Sequence, residues 1–321
     1  MIKSRSLWRL AALPVLLAAA SAMAEPLKIK ARPIPLAQSQ PDLATVGALR
    51  YYGGLRLTSP NPRFGGLSGL SVSADGSRLV AVSDTGLWFT GTLQYDTDGR
   101  LVGLTDTAME PLRDGDGKKL IGKRLGDAES LTPLAGGGYL VSFEQTHRIL
   151  RYAAPGAPGV PFDAVLPGLA QVKSNGGLEA LEQLADGGVL ALAENHFVTD
   201  GRLAGWLIDG NTATRVTYPG DGYFEPTGMA ALADGGVLVL ERGYTVIGGA
   251  KGRVMQIETP VAGEPISGLR ELARLTPPIQ VDNYEGLAVR IDNDGAVLLY
   301  IVSDDNFNPL QRTLLMMFRL E

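Results

Sequence analysis

The sequence contains no cysteine and two histidines among 321 residues. A disulfide framework, a thiolate metal site and a lipid-anchoring cysteine are therefore excluded. His147 and His196 lack a second histidine at ligand spacing, and each reads as an exposed or hydrogen-bonded side chain. That speaks against zinc and leaves an oxygen-ligated hard cation, Ca2+ foremost, as the metal the composition permits. Neither an H-E-x-x-H pair nor a Walker A loop is present. Gly65-Gly66-Leu67-Ser68-Gly69 does not match the G-x-S-x-G elbow of hydrolases. Asp114-Gly115-Asp116-Gly117 opens like a calcium loop but lacks the later ligands, so it reads as a surface loop. Helical periodicity longer than about two turns is missing too, which predicts a mostly β protein.

Basic charge is also scarce. Lys3, Arg5 and Arg9 precede an apolar run from Leu10 to Ala20, and Ala22-Met23-Ala24 fits a small-x-small cleavage site. Residues 1–24 thus read as a signal peptide and the protein as periplasmic or secreted. Removing those three cations from 29 leaves 26 Lys and Arg against 34 Asp and Glu. Such a balance disfavours nucleic-acid binding, which needs a basic face. With no second apolar span, stable membrane insertion is not expected, and the chain reads as a monomer. Residues 25–45 read as a Pro-rich N-terminal arm and residues 46–321 as a single domain.

What the chain does have is glycine, 41 residues of it, and a repeat. Ser68–Asp84, Glu129–Glu144, Glu179–Glu194, Thr227–Arg242 and Asn283–Asn306 share one pattern. Each has a small or acidic residue, an apolar run, a turn built on Asp-Gly or Gly-Gly, a second apolar run and a charged residue. The leading apolar residues Leu70, Leu131, Leu181, Met229 and Leu287 are 61, 50, 48 and 58 residues apart. A unit of about 50 residues made of short strands is the signature of propeller blades.

Third strands are expected at Leu87–Tyr95, Arg148–Ala153, Leu203–Asp209, Gly252–Glu258 and Arg312–Leu320. Fourth strands fit Leu101–Thr107, Phe162–Leu166, Thr214–Tyr218 and Leu269–Leu275. The fifth unit has none of its own, and Val46–Thr58 would supply it beside Arg312–Leu320. The expected fold is an all-β propeller of five four-stranded blades, closed by N- and C-terminal strands. The alternative is a sixth blade hidden around residues 87–126.

In a hairpin, the start of the first strand and the end of the second lie at the same end. If first strands line the channel, Ser68, Glu129, Glu179, Thr227 and Glu285 rim one mouth, with Asp84, Glu144, Glu194, Glu241 or Arg242, and Asp304. Like charges so close raise one another's pKa, bind a cation or pair with Arg. Acids beside strands are also often plain solvated turn residues, and the two readings stand side by side. His147, Arg148, Asn195, His196, Arg242, Tyr244, Asp305 and Asn306 follow on that face.

The chain resembles the bacterial phytase-like propeller domain known as "esterase-like activity of phytase". The resemblance rests on Gly66–Leu70 with Ser83-Asp84, and on Asp127–Leu131 with Ser142-Phe143-Glu144 and Ile149–Tyr152. It rests further on Asn175–Leu181 with Ala193-Glu194-Asn195, Asp282–Leu287, Val302–Phe307, Gln311-Arg312-Thr313 and Phe318, and spans roughly residues 47–320. It implies a β-propeller that hydrolyses phosphate or related esters on a small anionic substrate, with a metal-activated water. In that scheme Glu129, Glu179, Glu285 and Asp304 are catalytic, holding cation or water. Glu129, Glu179, Glu285, Asp84, Glu144 and Glu194 are the metal-ligand candidates. Arg148, Arg242, Asn195 and Arg312 are the substrate-binding candidates, with Lys118, Lys119, Lys123 and Arg124 on the long loop. Two other readings stay open: a non-catalytic binding or scaffold propeller with a structural cation, and a sugar-lactone hydrolase type.

Overall fold

The structure is a computed structural model and describes residues 24–198, 201–245 and 248–321. Residues 1–23, nearly all of the expected signal peptide, lie outside the described residues. No helix among the described residues is long and apolar enough to cross a membrane.

The chain enters through β1 (Glu25–Pro26), β2 (Lys30–Pro33), β3 (Thr45–Val46) and β4 (Leu49–Thr58). A first sheet follows in β5 (Leu67–Val72), β6 (Arg78–Ser83), β7 (Leu87–Tyr95) and β8 (Leu101–Pro111). The second is β9 (Ala128–Pro133), β10 (Tyr139–Phe143), β11 (Arg148–Tyr152) and β12 (Gly159–Pro161). The third is β13 (Leu178–Gln183), β14 (Val189–Phe197), β15 (Leu203–Asp209) and β16 (Thr212–Tyr218). The fourth is β17 (Glu225–Ala231), β18 (Val237–Thr245), β19 (Gly249–Ile257) and β20 (Arg270–Leu275). Last come β21 (Asn283–Ile291), β22 (Val297–Asp304) and β23 (Thr313–Leu320), with β4 as the fourth member of their sheet. A single turn of helix, α1 (Lys123–Gly126), sits in the long loop before β9.

Each repeat is a hairpin whose turn holds a glycine at positive φ (Gly76, Gly137, Gly187, Gly235 and Gly295), the conformation tight turns demand. First strands pack side by side in the cyclic order β5, β9, β13, β17, β21 and back to β5. Apolar side chains fill the space between successive sheets in five clusters. Strand alternation feeds two of them at once. In β22, Leu298, Tyr300 and Val302 face the first sheet while Leu299 and Ile301 face the fourth. That two-sided burial is why the repeats read as continuous apolar runs. The result is an all-β, propeller-like ring.

Closure works as the chain order requires. β23 runs antiparallel to β4 from Thr313 opposite Leu57 to Leu320 opposite Leu49. Beyond that pairing, β4 touches β8 in parallel at Gly53 opposite Leu101, so the first and last sheets are continuous. Gly53 permits this approach: a Cβ there would stand 2.4 Å from the Leu101 carbonyl oxygen. The 25–45 segment is strapped to the domain, with β2 and β3 paired to β4 and β1 to β8. Residues 87–126 form no separate sheet, since β7 and β8 extend the first one. The fourth strand of the second sheet lies at Gly159–Pro161 and not at Phe162–Leu166. Gly159 packs against the Tyr152 ring, where a Cβ would stand 2.5 Å away, so the ladder forms upstream of Phe162.

Close approach at the axis yields one prediction. A Cβ on Gly286 would lie 2.6 Å from Val302 Cγ1, 2.9 Å from Leu70 Cβ and 3.0 Å from the Ser68 carbonyl oxygen. Gly286→Ala should cost about 1–3 kcal/mol by overpacking. Urea unfolding of the variant beside the wild type checks this; an unchanged midpoint would show that the first strands have slack.

Candidate functional site

Every first strand carries a β-bulge at the same place. The register skips Ser68 in β5, Glu129 in β9, Glu179 in β13, Thr227 in β17 and Glu285 in β21. A bulge adds one residue against the partner strand and re-aims its side chain. The repeat's opening residues are therefore a set selected by backbone geometry.

The peptide before each bulged glutamate is held by a hydroxyl from the preceding sheet. Ser68 Oγ donates to the Ala128 carbonyl, Ser142 Oγ to Leu178 O at 2.6 Å, and Thr227 Oγ1 to Tyr284 O at 3.0 Å. Second strands leave the mouth through a residue at positive φ: Gly86, Gln145, Asn195 and Asn306 follow Asp84, Glu144, Glu194 and Asp304 within two positions. Such conformations disfavour side-chain-bearing residues and persist where the surroundings impose them.

The mouth divides into two halves. In one, Arg242 donates from Nη1 to Glu285 (2.9 Å) and Asn283 (2.7 Å), and from Nη2 to Glu194 (2.8 Å). Asn283 Nδ2 also donates to Glu285 at 2.7 Å. Here one guanidinium is hydrogen-bonded to two carboxylates at once. In the other, Lys123 faces Asp84 at 3.1 Å and Asp127 at 3.6 Å, while Glu129 and Glu144 lie beyond it. One carboxylate oxygen each from Asp127, Glu129 and Glu144 falls within 4.8 Å of the others. Asp127 is 1% exposed, and neither of its oxygens has a hydrogen-bond partner within the protein. A buried carboxylate left so is costly unless a cation completes it. An all-oxygen donor set fits a hard cation such as Ca2+.

Electrostatics agree. Burial first, then repulsion from Glu285, Asp127 and Glu144, holds the Glu129 carboxyl well above the ordinary range. Glu179 is raised likewise by burial and then by Glu129, Glu194 and Glu285. Asp84, Asp127 and Glu144 are raised chiefly by burial. Glu285 is pushed up by burial to about 7, with Arg242 opposing, and Asp304 by burial and Glu285 to about 9.

These shifts set a pH dependence. Unfolded carboxylates titrate near 4, so between there and about 7 for Glu285 or 9 for Asp304 the folded state holds more protons. Stability is then full below the unfolded pKa and lost as pH rises through the folded values. In chelator, the melting temperature should fall from about pH 5 to pH 9. Calorimetry across that range checks it; a rise would reverse the assigned sign.

The sequence-predicted residues separate accordingly. Glu129, Glu144 and Asp84 share the Lys123 half, and Glu194 and Glu285 belong to Arg242. Glu179 feels both halves, and Asp304 stands near Glu285 and Asp84. Arg148 is occupied elsewhere, donating to Leu125 O and Thr146 O while stacking on Phe143. Arg312 is held by Asp282 at 3.0 Å and Gln280 at 2.6 Å, and Asn195 is exposed. Glu241 turns away to Tyr218 and Arg253. A cleft of about 840 Å³ opens beside the Arg242 half, lined by Glu194, Tyr223, Glu225, Tyr244, Asn306 and Arg312 among others.

Site residues not singled out from the sequence include Asp127, Glu225 and Asn283. All stand two positions before the bulged residue, a spacing that keeps one face of a strand. That alternation was the available signal.

A search among curated proteins found no match. Solved structures resemble the chain distantly. A PQQ-bound aldose sugar dehydrogenase from Streptomyces coelicolor is 13% identical, covering 93% of this chain and 100% of that one at a TM-score of 0.44. An α-L-arabinofuranosidase from Podospora anserina in complex with cellotriose is 10% identical, covering 86% and 98% at 0.49. A glucose dehydrogenase is 15% identical, covering 92% and 98% at 0.39. The family model Phytase-like, "Esterase-like activity of phytase", matches residues 62–307, from the loop before the first bulge to the turn after Asp304. The chain belongs to the phytase-like, esterase-like-activity-of-phytase family.

Proposed function

We propose that the protein is a five-bladed propeller that hydrolyses a phosphate or related ester at its acidic mouth with the help of a divalent cation. The observation that carries this reading is the Asp127–Glu129–Glu144 group, whose buried Asp127 carboxylate accepts no hydrogen bond and faces only the Lys123 ammonium at 3.6 Å. Those three side chains would hold the ion, with Ca2+ the cation proposed. When bound, it supplies Lewis-acid chemistry, offsetting charge on a phosphoryl oxygen and lowering the pKa of a water.

The chain's own groups set the rest. Arg242 fixes Glu194 and Glu285 and so keeps one wall of the mouth rigid. Glu179, 6% exposed and raised by burial, is the carboxyl suited to hold and release a proton at the axis. Arg242, Arg312 and Lys123 all face carboxylates, so the mouth offers an anion little uncompensated positive charge. A phosphate ester would need a cation held by Asp127, Glu129 and Glu144 to offset its charge, and the open cleft would take its alcohol portion.

A panel of p-nitrophenyl phosphate, its diester and sugar lactones, assayed with Ca2+ and with chelator, tests this. Calcium-dependent ester hydrolysis is expected, falling ~10²-fold or more in Glu179→Gln. Equal rates in chelator would contradict it. Turnover of lactones alone would favour the sugar-lactone hydrolase reading, and ion binding without any turnover the scaffold reading.

A further inference from the structure

We propose that Lys123 is a tethered counter-ion occupying part of the cation site, so that a divalent ion enters by displacing it. This rests on the reading that Asp127, Glu129 and Glu144 hold a cation. The ammonium bridges Asp84 Oδ2 at 3.1 Å and Asp127 Oδ1 at 3.6 Å. Its side chain is 66% exposed, whereas those of Asp84 and Asp127 are 10% and 1% exposed. The cation can return to water; the acids it neutralises cannot. Asp127 belongs both to this bridge and to the trio whose oxygens lie within 4.8 Å. One carboxylate cannot serve two cations at full strength, so the two uses compete.

The backbone aims the lysine. Arg148 donates to Leu125 O, and Thr146 Oγ1 donates to Arg124 O at 2.9 Å, so two side chains from the second sheet clamp the turn that carries Lys123. On its other side Gly126 presses on the first sheet's exit turn, where a Cβ would lie 3.1 Å from Gly86 Cα and 2.8 Å from Leu120 O. The base is fixed and the long, flexible arm is free to swing. A clamped stem with an exposed ammonium is the construction a displaceable counter-ion requires. It also gives Arg148 its place: it holds the loop that carries the cation.

The experiment is isothermal titration of CaCl2 into the wild type, Lys123→Gln and Lys123→Arg, with melting curves in chelator. Lys123→Gln should bind Ca2+ ~10-fold or more tightly than the wild type, since one competing positive charge is gone. It should also melt below the wild type in chelator, where its acids face one another unneutralised. Lys123→Arg, which keeps the charge, should stay close to the wild type. Binding by Lys123→Gln alone would support the proposal too. Equal or weaker binding by Lys123→Gln would overturn the counter-ion while leaving the cation site standing. No binding by any of the three proteins would remove both.

Discussion

A chain lacking Leu49–Thr58 should fail to fold. That strand contributes Leu49, Leu55 and Leu57, each no more than 2% exposed, to two of the five inter-sheet clusters. Three such leucines represent roughly 5–9 kcal/mol of burial, against a typical total stability of about 5–15 kcal/mol. The deletion also leaves β23 paired on one side only, by β22, and leaves β2 and β3 unpaired. An exposed apolar edge invites aggregation as well as unfolding. Circular dichroism and gel filtration of the deletion protein check this; a monomer with a native-like spectrum would show that the ring does not depend on its closing strand.

That closure was legible because it follows from counting. Four strands recur in each unit and the last unit is one short, so Val46–Thr58 had to complete it. The hairpins were legible through their turn glycines and two-sided apolar runs. The charges were legible only as to face. Glu285 was expected to join Glu129 and Glu179 around one ion, but Arg242, 43 residues away, reaches it first. Arg148 lies where expected along the chain yet points its guanidinium at loop carbonyls. Periodicity says which face a residue occupies; which neighbour it meets depends on the angle between sheets, which no local pattern encodes. The bulges were hidden for a related reason, since an extra residue is visible only against its partner strand.

The second large effect concerns the ion. If Asp127, Glu129 and Glu144 hold Ca2+ with a dissociation constant of ~10⁻⁴–10⁻³ M, as extracellular modules do, then ~10 mM Ca2+ stabilises the fold by about 1.4–2.7 kcal/mol. At about 2–4 °C per kcal/mol for a domain approaching this size, the melting temperature should rise by roughly 3–11 °C. Glu129→Gln should behave in the opposite way on both counts. Without metal it should melt higher than the wild type, because a half-buried carboxylate repelled by its neighbours has become neutral. With metal it should gain little, because a ligand is gone. A solvated surface acid would give neither effect, so the two signs together separate a built cation site from a cluster of turn residues.

The most direct measurement is therefore a calcium titration of the wild type followed by calorimetry, with Glu129→Gln as its partner. Saturable binding at submillimolar to millimolar Ca2+, a rise in melting temperature, and loss of both in the variant are expected. A flat isotherm up to ~10 mM, well above the range of weak extracellular sites, with identical melting of the two proteins, would contradict it.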